Sequence, residues 1–595
     1  MRNAEKILSI ISKRGKKEKP IERIYRLLYN TEFYLMAYQN IYVNKGATTK
    51  GSNNETVDGM SMKKIVDIID KLKTETYRWT PVRRVYIKKK NGKQRPLGIP
   101  SWSDKLLQEV IRIILETYYD NQFSDNSHGF RKDRGCQTAL ETLTHKGWKS
   151  IKWFIEGDIT DCFNTINHQT LLNILKDKII DNRFLRLIEN LLRSGYMEDW
   201  KYNDTLNGCP QGGILSPLLS NIYLDKFDQY VEKELIPQYT KGEKRTHNPE
   251  YRTLQIRKAM YKRYNNWEKF KETGKMMQTI PSKNVFDPDF RRLHFLRYAD
   301  DWLIGLSGNR RDAEEIKEKV AIFLQIELNL QLNQEKTLIT HAKNEKARFL
   351  GYDIHVLHEN RQHDWRGQRS INGTIGLRVP RDKIQAKTKR YMAKGKPIHR
   401  KELSTLSDYD IITMYQLEFR GFIQYYSHAY NARQMSFVKY VMTQSLAKTL
   451  AVKHKMSVNQ VFKKYKATIE NSDGFYKVLQ VRIVRVGKEP LIARFGGIRI
   501  GYDRRAVIDE SPKQLYYNRS QLVDRLMRDT CELCGALGGV EMHHVRKLKD
   551  LKRAGRRDKP EWVKRMIAIN RKSLAVCVDC HCRIHSGLYD GIRVC

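Results

Sequence analysis

The sequence predicts an α+β protein of several domains, and three observations support this fold class. At 595 residues the chain is longer than one hydrophobic core usually holds. Short apolar runs alternate with helix-period patterns up to about residue 375, after which the chain becomes helical and strongly basic. Six of its nine cysteines fall in the last 65 residues, so we expect a small metal-binding module at the end.

The expected elements follow in chain order. A basic helical segment runs to about residue 43, and the Gly-rich stretch 44–60 is a loop. Apolar strands are expected at 82–87, 151–159 and 293–306, and SPLLSNIYLDKFDQYV is expected to be a helix with Pro217 in its first turn. Residues 228–292 are highly charged and read as an insertion of helices and loops. Further on, IITMYQLEFRGFIQYY has the apolar spacing of a packed amphipathic helix.

The charge balance indicates a polyanionic partner. Lys and Arg number 110 against 67 Asp and Glu, a net charge of +43, and nucleic acid is the leading candidate. The alternative is a basic surface that only keeps the chain in solution, but so large an excess would repel itself without a counter-ion. We therefore expect salt-sensitive binding.

Other classes of protein are disfavoured. No run of 18 apolar residues suggests a membrane-spanning helix, and the N-terminus lacks the pattern of a secretory signal. The scattered Cys136, Cys162 and Cys209 do not suggest a disulfide scaffold. We expect a bacterial protein of the cytoplasm or nucleoid, without a membrane partner.

The stretch FLRYADDWLIG places Asp300 and Asp301 side by side between two apolar runs. Two carboxylates roughly 4 Å apart repel by about 4 kcal/mol at an effective dielectric near 20, so a hard cation such as Mg²⁺ would compensate them. An exposed acidic turn is an equally good reading of this stretch alone. Asp158, at the end of the apolar run WFIEGDI, could complete a three-carboxylate site for two ions and phosphoryl transfer. Asp161 competes with it but lies beyond the apolar run.

These stretches resemble the successive blocks of a reverse transcriptase. The palm blocks match IEGDI, NGCPQGGILSPLLSNIYLD, YADD, LNQEKT and ARFLGY, and the finger blocks match residues 88–110 and 124–140. The loop ending in TVDGM resembles the extra N-terminal block of group II intron and non-LTR enzymes. The resemblance implies a right-hand polymerase fold of fingers and palm, in which Asp158, Asp300 and Asp301 bind two Mg²⁺ ions.

The same resemblance implies roles in binding deoxynucleoside triphosphates. Lys88 and Arg95 would contact the triphosphate, although the nearby Lys89, Lys90 and Lys93 leave the choice of lysine open. Gln211 would line the nucleotide site, and Phe163 would exclude a 2′-hydroxyl unless it is an ordinary core aromatic. Lys336 would protonate pyrophosphate or else pair with Glu335 on a loop.

The basic region after residue 376 resembles the maturase domain of group II intron proteins. Basic side chains interleaved with Tyr and Phe suit RNA, since cations meet phosphates and aromatics stack on unpaired bases. Taken singly, the aromatics read better as core residues. The basic strands between about 475 and 528 fit the DNA-binding segment of these proteins.

The C-terminal cysteines form a CxxC…CxxC pattern, typical of a structural Zn²⁺ site, with Cys531, Cys534, Cys577 and Cys580 as ligands. Together with the histidines EMHHV and CHCRIH they resemble the HNH, or ββα-metal, endonucleases. The resemblance implies that His544 is the general base and that His543, His581 and His585 hold a divalent ion. The Asn of the motif has no clear match: Asn570 lies early, and Ser573 stands in its place. His581 is alternatively a zinc ligand.

The whole chain resembles a group II intron-encoded protein. This implies fingers and palm over residues 1–375, with an N-terminal extension at 1–60, an α-helical thumb and maturase (X) domain at 376–474, a DNA-binding segment at 475–528 and the HNH module at 529–595. Such a protein binds its intron RNA, supports splicing, cuts target DNA and copies RNA into DNA.

Parts of the sequence are compatible with two other functions. One is a splicing maturase with a silent polymerase or nuclease, against which the intact Asp158, YADD and PQGG argue. The other, a retron or diversity-generating reverse transcriptase, should lack the maturase and HNH segments. The sequence does not fix the oligomeric state, and a homodimer is among the states it leaves open.

Overall fold

The structure is a computed structural model that describes residues 3–589 except 45, 89–91, 93, 146, 206, 210–211, 286, 360, 363–364, 366–370, 472–473, 486, 504–519, 547–550, 552–558 and 569–570. Five residues considered in the sequence analysis lie outside the described residues: Lys89, Lys90, Lys93, Gln211 and Asn570. Among the described helices, each is too short or too polar to cross a bilayer.

A five-stranded sheet forms the centre of the first 375 residues. Its strands, numbered by their place in the whole chain, are β5 (Ser127–His128), β6 (Trp153–Asp158), β10 (Leu293–Tyr298), β11 (Asp301–Leu306) and β12 (Leu338–His341). Their order in the sheet is β12-β6-β11-β10-β5. The apolar runs predicted at 151–159 and 293–306 are therefore confirmed as strands, with the second run folded into the hairpin β10–β11.

The central sheet is buried on both faces. Successive side chains of a strand point to opposite faces, and in this sheet both sets are apolar. Ile155 of β6 and Ile304 of β11 belong to one core, whereas Phe154 and Leu303 belong to a second core on the opposite face. Each face therefore requires its own layer of helices.

The remaining strands of the N-terminal region are β1 (Ile21–Glu22), β2 (Met60–Ser61), β3 (Val82–Lys88), β4 (Gln94–Ile99), β7 (Ile179–Ile180), β8 (Tyr196–Glu198) and β9 (Lys201–Asn203). Four of them form a second sheet, of order β4-β3-β8-β9. Strands β3 and β4 form an antiparallel hairpin that pairs Ile87 with Arg95 and Lys88 with Gln94.

Helices surround both sheets. In chain order they are α1 (Ala4–Lys16), α2 (Ile24–Leu27), α3 (Thr31–Ile41), α4 (Met62–Lys73), α5 (Trp102–Tyr119), α6 (Cys136–His145), α7 (Cys162–Thr165), α8 (His168–Lys176), α9 (Asn182–Leu192), α10 (Ser216–Tyr230), α11 (Ile236–Gln238), α12 (Pro249–Arg263), α13 (Trp267–Thr279) and α14 (Arg310–Leu328). Helix α10 carries Pro217 in its first turn, as predicted. Helices α12 and α13 confirm that the charged insertion is largely helical.

A helical region follows, bounded by two small sheets. Its elements are β13 (Ala347–Phe349), β14 (Tyr352–Val356), β15 (Ile375–Arg378), α15 (Arg381–Lys389), β16 (Met392–Ala393), β17 (Lys396–Pro397), α16 (Asp408–Tyr425), α17 (Ser436–His454), α18 (Val458–Tyr465), β18 (Lys466–Asn471), β19 (Gly474–Arg485) and β20 (Lys488–Phe495). Helix α16 is the predicted amphipathic helix, and its Phe419 packs on Phe495 of β20. The boundary expected between residues 474 and 475 falls inside the sheet β18-β19-β20.

The last described part contains α19 (Gln521–Met527), β21 (Val540–His544), α20 (Glu561–Ala568), β22 (Ser573–Cys577) and α21 (Val578–Ser586). Strands β21 and β22 pair antiparallel, and β2 from the N-terminal region adds a third strand beside β21. Met542 and Ala575 of this sheet belong to the same core as helices α3 and α5. The C-terminal module is therefore docked on the N-terminal extension.

Candidate functional sites

Three carboxylates meet at one end of the central sheet. Asp158 is the last residue of β6 and Asp301 the first of β11, and the antiparallel register places them directly opposite each other. Asp300 lies in the turn between β10 and β11. Asp161, the competing candidate, is exposed at the start of α7. The predicted set is thus brought together, and its competitor stands apart.

The carboxylates crowd one another electrostatically. Partial removal from water, followed by the charges of Asp300 and Asp158, raises the pKa of Asp301 to about 7. Removal from water and the Asp158 charge also raise the pKa of Asp300. Carboxylates that resist ionisation in each other's presence are suited to a divalent cation, which would stabilise all three in the charged form.

Cationic and amide side chains surround Asp158. Lys336 Nζ lies 2.5 Å from Asp158 Oδ2, and the Asn333 amide donates to the same oxygen at 3.3 Å. The bond to Asp158 raises the pKa of Lys336. Lys336 therefore contacts the carboxylate cluster, which favours the site role over a pairing with Glu335.

A buried ion pair that the sequence reading missed supports the Asp300 turn. The Arg297 guanidinium is fully buried and contacts both oxygens of the equally buried Asp228, at 2.6 and 2.5 Å. It also donates to the Ala299 carbonyl at 2.8 Å. Ala299 has a φ of 54°, and this bond helps to hold it there. A charged residue inside the apolar run LHFLRY was the available signal.

Two of the expected nucleotide-binding residues, Lys88 and Arg95, lie on the hairpin β3–β4, and Phe163 lies on α7. Lys88 is exposed at the end of β3, and Arg95 on the paired strand lies near enough to lower the pKa of Asp300. Phe163 is half-buried in α7, and its ring packs edge to face on Phe130 with the ring centroids 6.2 Å apart. Phe163 is thus not a core aromatic.

Four cysteines form a second site. The sulfur atoms of Cys531, Cys534, Cys577 and Cys580 all lie within 4.8 Å of one another. Burial opposes ionisation of Cys531, but backbone N–H groups, that of Cys534 first, outweigh it and lower its pKa to about 7. A four-thiolate cluster with donors on its sulfurs fits a structural Zn²⁺ ion. His581 lies in a separate cluster, which argues against its being a zinc ligand.

Three histidines of the C-terminal module form a third site together with Asp58, a residue that the sequence did not point to. Ligand atoms of His543, His581, His585 and Asp58 all lie within 4.8 Å of one another. Asp58 comes from the N-terminal extension and is 486 positions from His544 in the chain. Asp58 lies in the motif TVDGM, and nothing in the sequence relates this motif to the histidines.

Neighbouring side chains fix the orientation of these histidines. The Glu541 carboxylate lies 2.6 Å from His581 Nδ1, leaving Nε2 directed at Asp58. Burial opposes protonation of His581, yet hydrogen bonds to Asp58 and Glu541 raise its pKa to about 9. His543 packs edge to face on Trp562 at 5.1 Å.

His544, the expected general base, is buried. Its Nε2 lies 2.8 Å from the Tyr38 hydroxyl, and Tyr42 packs beside it. Burial lowers the pKa of His544 to about 3, whereas a general base works best with a pKa near the working pH. In this arrangement the base is covered by α3. Ser573 lies opposite His544 in the sheet.

In the helical region, most of the aromatics of the predicted helix are core residues, as expected. Tyr415 and Phe419 are fully buried, while Phe437 and Tyr440 of α17 are about half exposed, at 49% and 56%. The exposed aromatics on α17 are the better candidates for contact with unpaired bases.

Comparison with known proteins gives three family matches along the chain. Residues 87–354 match "Reverse transcriptase (RNA-dependent DNA polymerase)", residues 374–481 match "Type II intron maturase", and residues 531–581 match "AI2M/AI1M-like, HNH endonuclease". The site geometry and these matches define the class of the protein: it is a reverse transcriptase that also carries maturase and HNH endonuclease domains.

Relatives match over nearly the whole chain. The "Group II intron-encoded protein LtrA" of Lactococcus lactis subsp. cremoris is 39% identical, covering 97% of this chain and 98% of the relative. The "Putative COX1/OXI3 intron 2 protein" of Saccharomyces cerevisiae is 31% identical, covering 96% of this chain and 66% of the relative. A solved "Partial Cas6-RT-Cas1--Cas2 complex" is 18% identical over 51% of this chain and 43% of that one, with a TM-score of 0.27.

The chain therefore belongs to the group II intron-encoded proteins. It is a multifunctional enzyme, an RNA-directed DNA polymerase and endonuclease with a maturase domain, and the maturase match implies that it binds intron RNA. The expected function and enzyme class are confirmed.

Proposed function

We propose that Asp158, Asp300 and Asp301 hold two Mg²⁺ ions for DNA synthesis. The observation that carries this assignment is that Asp158 and Asp301 pair in register at the ends of β6 and β11, with Asp300 in the adjoining turn. When bound, such ions stabilise the charge that develops on the reacting phosphoryl group. The central sheet with its hairpin sheet would be the palm and fingers of a right-hand polymerase, and the helices after residue 376 its thumb and maturase (X) domain.

The chain's own cations complete this site. Lys336, already in contact with Asp158, would donate a proton to the leaving pyrophosphate. Arg95 and Lys88, on the paired strands β3 and β4, would bind the triphosphate. Phe163 would lie under the sugar and exclude a 2′-hydroxyl, and Gln211 would line the nucleotide site.

In the HNH module, His543, His581 and His585 would hold a divalent ion on the scissile phosphate and His544 would act as general base. Strands β21 and β22 with helix α21 would form the ββα-metal unit. Cys531, Cys534, Cys577 and Cys580 would hold a structural Zn²⁺.

Together these activities support intron homing. The protein would stabilise its folded intron RNA for splicing, whose chemistry belongs to the RNA. Residues 475–528 would bind target DNA, the HNH site would cut one strand, and the polymerase would copy the inserted RNA from the new 3′ end. The net charge of +43 suits two polyanionic partners.

The double variant Asp300→Ala, Asp301→Ala tests the division of labour. We expect Mg²⁺-dependent primer extension to fall by more than about a hundredfold, since the charge-stabilising groups are gone, while splicing of the bound intron continues. Asp161→Ala is the matched control and should retain extension. Loss of splicing with RNA affinity intact would contradict the proposal, and so would loss of extension in the control alone.

A further inference from the structure

The loop before α4 is tied to the nuclease sheet. Strand β2 pairs Met60 with Met542 and Ser61 with Glu541. The Gly59 N–H donates to the Met542 carbonyl at 3.1 Å. These contacts hold the preceding residue, Asp58, against the end of β21.

Asp58 contacts every member of the histidine cluster. Its Oδ1 lies 3.2 Å from His543 Nδ1 and 3.3 Å from His581 Nε2, and its Oδ2 lies 2.8 Å from His585 Nε2. The backbone N–H of His544 donates to Oδ1 at 2.7 Å. One carboxylate thus lies where three imidazole nitrogens converge.

The spacing matches a set of metal ligands. In a tetrahedral site with metal–ligand bonds of about 2.0–2.1 Å, neighbouring ligand atoms are about 3.3 Å apart. The Asp58 distances to His543 and His581, 3.2 and 3.3 Å, match this value, whereas the distance to His585, 2.8 Å, is shorter. His581 Nε2 and His585 Nε2 lie 3.1 Å apart. His543 is buried, and neither of its ring nitrogens makes an aligned hydrogen bond within the described part of the chain, although Asp58 Oδ1 lies 3.2 Å from Nδ1. A ring nitrogen in that position is suited to a cation.

We propose that Asp58 is a fourth protein ligand of the nuclease ion, supplied by the polymerase's N-terminal extension, and that it closes the nuclease site. This proposal rests on the nuclease role proposed above for the three histidines. Asp58 would be an additional ligand of the ion and would also regulate access of the substrate to it. A catalytic metal site needs an open position for its substrate, whereas four protein ligands make a closed site.

The closed site also covers the general base. The Tyr38 hydroxyl of α3 lies 2.8 Å from His544 Nε2, so in this conformation it occupies the position from which a water would contact that buried nitrogen. The loop with Asp58 and helix α3 belong to the same extension. Cleavage therefore requires the extension to move, and the scissile phosphate would then take the position that the Asp58 carboxylate leaves.

Cobalt binding tests the ligand directly. The full-length protein, with its cysteine site filled by Zn²⁺, is titrated with Co²⁺ and followed by its visible absorption, which reports coordination geometry. We expect wild type to give a four-coordinate spectrum that His581→Ala abolishes. Asp58→Ala should weaken Co²⁺ binding by at least about tenfold and change the spectrum. Asp67→Ala, an exposed acid on α4, is the control and should match wild type. An unchanged spectrum and affinity in Asp58→Ala would overturn the ligand role.

Cleavage tests the closure. At saturating Mn²⁺, where the ion stays bound without Asp58, Asp58→Ala should nick DNA several-fold faster than wild type, and Asp67→Ala at the wild-type rate. Primer extension by all variants reports that the polymerase is folded. A rate in Asp58→Ala equal to or below wild type overturns the closure. If His581→Ala cleaves as fast as wild type, the nuclease role of the histidines fails instead, and the Co²⁺ titration still decides whether Asp58 is a ligand.

Discussion

At the scale of single residues, two acids of α10, Asp225 and Asp228, differ in how well their charge is compensated. Asp228 is fully buried and paired with Arg297, so its charge is compensated. Asp225, one turn earlier, has its Oδ2 bound by the Gln229 amide, but its Oδ1 is buried without a partner among the described residues. A buried carboxylate that is only partly satisfied costs stability when it ionises.

The pH dependence of stability should report this cost. Burial, and next the charge of Asp228, raises the pKa of Asp225 from 3.8 to about 6. The folded protein keeps this proton up to about pH 6, whereas the unfolded chain releases it near pH 4. Stability should therefore fall as the pH rises between these values.

Asp225→Asn should remove this loss. We expect its free energy of unfolding to match wild type near pH 4, where the acid is protonated, and to exceed it by about 1–3 kcal/mol at pH 8. Urea unfolding at both pH values is the measurement, with Asp67→Asn as an exposed control. Equal stability of Asp225→Asn and wild type at pH 8 would contradict the assignment.

At the scale of elements, the close approach of β6 and β11 depends on one glycine. Gly157 lies opposite Trp302 in the register, and a Cβ at this position would lie 2.0 Å from the indole ring. The buried Trp302 side chain therefore fills the space that any other residue would need. This packing sets the spacing of the two strands whose ends carry Asp158 and Asp301.

Gly157→Ala should accordingly force the strands apart. We expect a loss of about 1–3 kcal/mol of stability from overpacking and a loss of primer extension larger than stability explains. Thermal unfolding and primer extension are compared with Gly421→Ala, a control on α16 where an added Cβ meets nothing within 4 Å. The double variant Gly157→Ala, Trp302→Leu should recover part of the activity, and failure to do so would argue against this clash.

The strands of the central sheet and the cysteine pairs were predictable from the local sequence, for physical reasons. Apolar alternation and turn position give β6, β10 and β11, so the strand ends made a meeting of Asp158 with Asp301 possible. The resemblance to a reverse transcriptase then selected that set over an exposed acidic turn. The cysteine pairs were predictable because CxxC is a local geometry. Asp58 was not, since its partnership with His543 depends on how two distant parts of the chain dock, which no local period encodes. The extent of β18–β20 was missed because their packing on α16 is likewise non-local.

At the scale of the whole molecule, the described residues form two large hydrophobic cores and one small one. The first core joins the N-terminal helices, one face of the central sheet and residues Val540, Met542 and Ala575 of the nuclease sheet. The second joins the opposite face to the maturase helices. The small third core contains Cys531, Cys577, Cys580 and Trp562. The polymerase and maturase can thus stay folded without the third core, which is centred on the cysteine site.

Removal of the Zn²⁺ ion proposed for the cysteine cluster should therefore unfold only the C-terminal module. Structural Zn²⁺ contributes about 10–16 kcal/mol in zinc-finger peptides, as much as the whole stability of a typical domain, and the third core is too small to replace it. For Cys531→Ser we expect loss of bound zinc, fast hydrogen exchange over β22 and α21, and loss of DNA cleavage, with primer extension retained. Strand β21 should keep part of its protection because Val540 and Met542 lie in the first core. Cys582→Ser is the control and should behave as wild type, because Cys582 is an exposed cysteine of α21 that lies outside the cluster. Slow exchange in α21 after zinc loss, or a parallel collapse of primer extension, would show that the third core does not depend on the ion in this way.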